Sequence, residues 1–279
     1  MPSDRGFNRR DFLRSTAAVG AAGTVLGVAG CGQSSAPANR VTLPGVEVQD
    51  PFKHGLASGD PTSSSVLLWT RVTPTDLDGN FIPGDVTVSW SAYRDPELTE
   101  LVTGGTTIAR EANDYCVKVD AIGLSPYTAY YYRFSALGHD SVIGRAQTLP
   151  DWDAETENRL RIAVVSCSNY PHGYFHVYKE IADRNDIDLI IHLGDYIYEY
   201  DATGYASSGA TALGRSSQPA NEPLTLADYR LRHAQYKSDP DAKTLHARMP
   251  MIAVWDDHEI ANDAWKDGAE NHDPATEGS

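Results

Sequence analysis

Only three cysteines occur in the 279 residues, too few for a disulfide-built scaffold, so Cys31, Cys116 and Cys167 each have to be read individually. On spacing alone a Cys116–Cys167 bridge stays open. Long apolar runs are also missing: the mild one at residues 17–30 carries Gly20, Gly23, Gly27 and Gly30, and is too short and too weak for a stable membrane span. Basic residues are scarce. Lys and Arg number 23 against 38 Asp and Glu, a formal net charge of -15 at pH 7. Such a surface repels nucleic acid and anionic lipid headgroups, so nucleic-acid binding is not expected. An anionic substrate would need locally fixed positive charge, and bound cations are a better source of it here than a Lys/Arg patch. The composition is globular, with 41% hydrophobic and 22% charged residues, and the length holds roughly two domains with a core each.

What is present begins with Asn8-Arg9-Arg10-Asp11-Phe12-Leu13-Arg14, two arginines ahead of Phe-Leu and then an Ala/Gly/Val run. The string resembles a twin-arginine signal over residues 1–30, read by the Tat translocase during export. The competing reading, a basic N-terminus with a short amphipathic helix, suits four glycines poorly. Val28-Ala29-Gly30-Cys31 matches a lipobox, in which Cys31 is acylated and becomes the new N-terminus, with residues 31–50 as a polar linker. The alternative is ordinary cleavage near the same point. Either way the expected compartment is outside the cytoplasm, extracellular or periplasmic, or on a membrane as an anchored lipoprotein.

Residues 51–150 read as short alternating runs separated by Gly, Pro and Asp, with candidate strands at 65–72, 86–93, 115–121, 130–136 and 141–148. A small antiparallel sandwich is expected. The segment Gly123-Leu124-Ser125-Pro126-Tyr127-Thr128-Ala129-Tyr130-Tyr131-Tyr132-Arg133-Phe134 is similar to the tyrosine corner of fibronectin type III domains, where a Tyr bonds back to the preceding turn. Leu124 and Phe134 should then enter the core. A sandwich of this kind either binds a partner or only packs on its neighbour; it holds no cluster of His, Asp and Glu, which favours the structural role.

An acidic linker is expected at 151–159, and beyond it, over 160–279, the pattern turns to α/β. Continuous apolar strands are expected at 160–166, 189–193 and 251–255, with a helix at 175–184. Ligands of open α/β sheets gather at the carboxyl ends of strands, and polar groups fall at all three ends here. The first is Ser166-Cys167-Ser168-Asn169, where a thiolate can bind metal or a neutral thiol can fill space. The second is His192-Leu193-Gly194-Asp195-Tyr196-Ile197-Tyr198-Glu199, where Gly194 lets the chain turn sharply and sets Asp195 at the sheet's edge, with Tyr198 able to come round to the same point. His192 reads as a hydrogen-bonded core residue. The third is Trp255-Asp256-Asp257-His258-Glu259-Ile260-Ala261-Asn262; polar groups directly after a buried strand are costly unless paired or metal-bound. The bland alternative for that string is a solvated helix start capped by Asp.

At these three ends the sequence resembles the alkaline phosphatase D family within the calcineurin-like metallophosphoesterases. The likeness extends to Lys53-His54-Gly55-Leu56-Ala57-Ser58-Gly59-Asp60-Pro61, to Leu67-Leu68-Trp69-Thr70-Arg71 and to the front sandwich. The implied fold is a fibronectin-III-like β-sandwich followed by the first half of an α/β metallophosphoesterase domain. The resemblance implies Fe(III) and Ca(II), held by Cys167, Asp195, Tyr198 and Asp257, with His258 facing the leaving group and Asp256, Glu259 and Asn262 behind them. It also implies hydrolysis of phosphate esters, as an alkaline phosphatase or phosphodiesterase, by a water that two cations ionise. The chain shows no late His and Asp motifs of a second half-sheet and closes on a polar stretch at 271–279, which reads as a fragment. Two alternatives remain: a phospholipase-D-like phosphodiesterase of the same fold, and an exported binding lipoprotein that kept the scaffold without the chemistry.

Overall fold

The computed structural model describes residues 47–154, 160–266, 268–270, 272–273 and 275, so the export signal, Cys31 and most of the acidic linker lie outside the described residues. The front region supplies β1 (Leu56–Gly59), β2 (Ser65–Arg71), β3 (Val86–Tyr93), β4 (Leu101–Ala109), β5 (Cys116–Ile122), β6 (Ala129–Ala136), β7 (His139–Asp140) and β8 (Gly144–Gln147). After the linker come β9 (Ile162–Val165), α1 (His176–Ala182), β10 (Leu189–His192), α2 (Ala210–Leu213), α3 (Leu226–Ser238), α4 (Pro240–Arg248) and β11 (Pro250–Ala253).

The strands sort into two sheets. One contains β4-β3-β6-β7, with β8 also paired to β6; the second runs β5-β2-β1-β11-β10-β9. Alternation drives the first region: β2 reads SVLLWTR and buries every second side chain, putting Val66, Leu68 and Thr70 inward. The expected corner forms. The Ser125 amide donates to the Tyr130 hydroxyl at 2.7 Å, and Leu124 and Phe134 are buried.

The second sheet runs through both halves of the chain. Its β5-β2-β1 part is antiparallel and belongs to the sandwich, whereas β11, β10 and β9 are parallel to β1 and to one another. The junction is the β1–β11 ladder, where Ser58 faces Pro250 and Gly59 faces Met251. A Cβ on Gly59 would lie 2.7 Å from the Met251 carbonyl oxygen, so glycine is what lets the two backbones meet. Helices α1 and α4 cover one face of the parallel part, and Tyr178, Ile190, Leu245 and Met251 form its core.

Candidate metal centre

The parallel ladder keeps three polar loops together beyond the strands. The Leu193 amide donates to the Val165 carbonyl at 2.9 Å, Val254 to His192 at 3.0 Å, Cys167 to Gly194 at 3.2 Å and Ser168 to Asp195 at 2.9 Å. Gly194 has φ +108°, and a Cβ there would lie 2.5 Å from the Asp256 side chain, so the turn and the close approach of the third loop both require glycine. Cys167 (φ 59°) and Asp195 (φ 52°) occupy the left-handed region, which side-chain-bearing residues hold only where surrounding structure insists on it.

Asp195 is the hub. Its Oδ2 accepts from the Tyr198 hydroxyl at 3.2 Å and the Cys167 thiol at 3.4 Å, while Oδ1 is buried with no hydrogen-bond partner. Ligand atoms of Asp195, Asp257 and His258 lie within 4.8 Å of one another. Burial first, then the negative charge of Asp195, pushes the Tyr198 phenol well up, so ionising it there needs a nearby cation. A buried bare carboxylate oxygen, with a thiol and a phenol on the same Asp195 carboxylate and the Asp257 carboxylate close by, fits bound cations, with hard oxygen donors and a softer sulfur in one place.

The carboxylate of Glu259 pins two of the loops to each other. Its Oε2 accepts from the amides of Asp256 at 2.7 Å and Asp195 at 3.1 Å; its Oε1 accepts from Tyr196 at 2.5 Å and Ile197 at 3.3 Å. Asp256 is exposed and caps the 3-10 turn Asp257–Glu259, outside the cluster. Asn262 contributes its backbone amide, which donates to Glu199 at 2.6 Å. His192 is fully buried, accepting from the Gly194 amide at 3.2 Å and meeting the Tyr178 hydroxyl at 3.0 Å, which makes it a structural core residue. Cys116 and Cys167 are both free.

His258 stands closer to the carboxylates than a residue serving the leaving group alone. Its Nδ1 is 2.8 Å from Glu199, which leaves Nε2 for the site. Desolvation opposes protonation, yet the Glu199 carboxylate outweighs it and raises the His258 pKa. Two contributors escape sequence reasoning. Glu199 is fully buried and sits beside Tyr198 in the string already singled out; a carboxylate in so apolar and aromatic a run is the signal that it needs a partner. Asn169 has no hydrogen-bond partner for either side-chain polar atom and lines a cavity of about 580 Å3 that Cys167, His172, Tyr174, Tyr198 and Tyr205 share.

Comparison with known proteins identifies the family. Residues 162–279 match the model of the PhoD-like phosphatase, residues 37–150 that of the PhoD-like phosphatase N-terminal domain, and residues 6–25 the twin-arginine translocation pathway signal sequence. The chain is 44% identical over 214 residues to alkaline phosphatase D of Bacillus subtilis (strain 168), a match covering 76% of this chain and 36% of that protein. It is 42% identical to a solved structure of PhoD, with a TM-score of 0.71, over 77% of this chain and 40% of that one. The chain thus spans well under half the length of the relatives it matches. It carries a twin-arginine export signal, and its two regions place it in the PhoD-like phosphatase family.

Proposed function

We propose that this chain carries part of the active centre of an exported, metal-dependent phosphoric ester hydrolase of the alkaline phosphatase D type. The observation that carries the proposal is the unpartnered Asp195 Oδ1 buried among Cys167, Tyr198, Asp257 and His258. In this reading Fe(III) would be held by Cys167, Asp195 and Tyr198, and Ca(II) by Asp257 with Asp195. Bound there, such cations supply the positive charge that holds a phosphate oxygen and acidifies a water molecule. That charge is what an anionic substrate needs on a protein of net charge -15.

The chain's own groups do the rest. Glu259 and Gly194 hold the loops so that Asp195 presents its free oxygen. Glu199 orients His258 and favours its protonated form, which suits proton donation to the leaving oxygen. Ligation of a cation by His258 Nε2 is the competing role, favoured by its proximity to Asp195 and Asp257. Asn169 lines the cavity, and its unpartnered amide can bond a substrate oxygen. Anchoring through an acylated Cys31 is part of the same proposal for an exported protein.

Asp195→Asn tests the reading. Turnover of a chromogenic phosphomonoester should fall at least about 1,000-fold with far-UV circular dichroism unchanged; retained turnover would place the chemistry elsewhere. In iron-loaded protein, Tyr198→Phe should remove the phenolate-to-metal absorption band, and a colourless wild type would refute the iron assignment.

A further inference from the structure

On the side of α3 that faces the sandwich lies a cleft of about 500 Å3, walled among others by Trp69 and Arg71 of β2 and the α3 residues Leu226, Tyr229, Arg230 and Lys237. Its charges are unevenly satisfied. Arg71 binds Asp114 through two nitrogens, Nε to Oδ2 at 2.9 Å and an Nη to Oδ1 at 2.7 Å, so the one carboxylate in the lining is taken. Among the described residues Arg230 reaches the Ala112 carbonyl, at 2.7 Å, and no carboxylate. Among the described residues no carboxylate pairs with Lys237. Its amine lies 5.2 Å from the Trp69 ring centroid and 4.6 Å from that of Tyr196, and its hydrogen-bond partner is His246 Nε2 at 3.0 Å. The Tyr196 hydroxyl competes for that same nitrogen at 2.8 Å. The buried histidine beside it adds no charge: burial holds His246 well below its ordinary range. Burial likewise draws the Lys237 amine down to about 7, with Cys116 acting weakly the other way. A desolvated cation without a counter-ion, set in a cleft with aromatic walls, is costly unless something anionic joins it.

We propose that this cleft binds a small organic anion, whose carboxylate or phosphate head supplies the counter-ion for Lys237, assisted by Arg230, and whose apolar body lies on Trp69, Leu226 and Tyr229. The site is separate from the candidate metal centre but joined to it through α3. Tyr229, on the cleft wall, donates to the Ile260 carbonyl at 2.7 Å, and Tyr236 and Arg232 of the same helix hold the Tyr198 backbone. An occupant would therefore stiffen the helix on which the Tyr198 loop rests.

The test uses 3-phenylpropionate and benzylphosphonate as anionic probes and benzyl alcohol as the uncharged control. In titrations of the purified protein at least one anion should saturate below about 1 mM, and benzyl alcohol should not. The Trp69 indole resonance, assigned with Trp69→Phe, should move during that titration. At pH 8 binding should take up a proton, read as an enthalpy that changes with the buffer, because the head group restores the Lys237 ammonium. Lys237→Met should weaken binding at least about tenfold. Saturation by the carboxylate, the phosphonate or both supports the site and says which head it takes. If neither anion saturates, if the Trp69 signal stays still, or if a folded Lys237→Met binds as well as wild type, the proposal fails, and the two rings alone hold the amine. Should Lys237→Met not fold, the Trp69 shift and the proton uptake in wild type decide.

Discussion

Glu199 has no exposed surface, yet one of its oxygens meets His258 Nδ1 at 2.8 Å and the other accepts the Asn262 amide at 2.6 Å. A buried carboxylate so placed selects the protonated imidazole and fixes which nitrogen faces the site. Glu199→Gln keeps the shape and removes the charge, so in metal-free protein the His258 titration should move to lower pH, followed by its ring resonances; an unmoved titration would mean that Glu199 only fills space. Cys167, Asp195, Tyr198 and Asp257 could be singled out as candidates because they stand at or just beyond the ends of apolar strands, where polar groups are costly without a purpose. Glu199 and Asn169 were not, because which way a loop side chain points depends on neighbours hundreds of atoms away along the chain.

Helix α3 shows why some elements escape periodicity. Its sequence LADYRLRHAQYKS buries Arg232 and Tyr236, so no apolar stripe marks its inner face. Polar anchoring does the work instead. Arg232 donates to the carbonyls of Tyr198, Gln218 and Pro219, and the Tyr236 hydroxyl accepts the amides of Tyr170 and Tyr198. Its start was readable afterwards as a capping box, with Thr225 and Asp228 each satisfying the other's backbone amide. Thr225→Ala should cost about 1 kcal/mol by urea denaturation and should speed amide exchange in the first turn of α3 before it affects β10; equal protection in both proteins would show that tertiary bonds alone hold the helix. Strand β4, LVTGGTTIA, was missed for a related reason: its two glycines weaken the strand signal, and pairing along β3 supplies what propensity does not. Four-residue β1 is a strand only because β2 and β11 flank it.

At the scale of the molecule, the histidines buried beneath the site make stability depend on acid. Burial, reinforced by the Lys237 charge, holds His192 at about 4, whereas an unfolded histidine titrates near 6.5. Between those values the unfolded chain binds the proton and the folded one does not, so the His192 contribution is present above about 6.5 and is lost as pH falls toward 4. The loss should reach about 3 kcal/mol, and His192→Gln should flatten that part of the profile of urea midpoints between pH 7 and pH 4. An unchanged slope would place the acid sensitivity elsewhere. Among the described residues, helices cover the parallel part of the second sheet on one face only. On the other, Ile162, Val164, Leu193, Ile252 and Val254 are each at least a third exposed, an apolar surface wider than scattered surface residues explain.

The sequence by itself determined the front sandwich with its tyrosine corner, the three apolar strands of the parallel part and the polar strings at their carboxyl ends, because alternation, apolar runs and turn residues are local signals. Only the tertiary structure decided that β1 and β11 join both regions into one sheet, that Glu259 binds the amides of two loops, and that Lys237 faces a cleft without a counter-ion. Each of these depends on groups far apart in the chain meeting within a few ångströms, and no local pattern of residues encodes such a meeting.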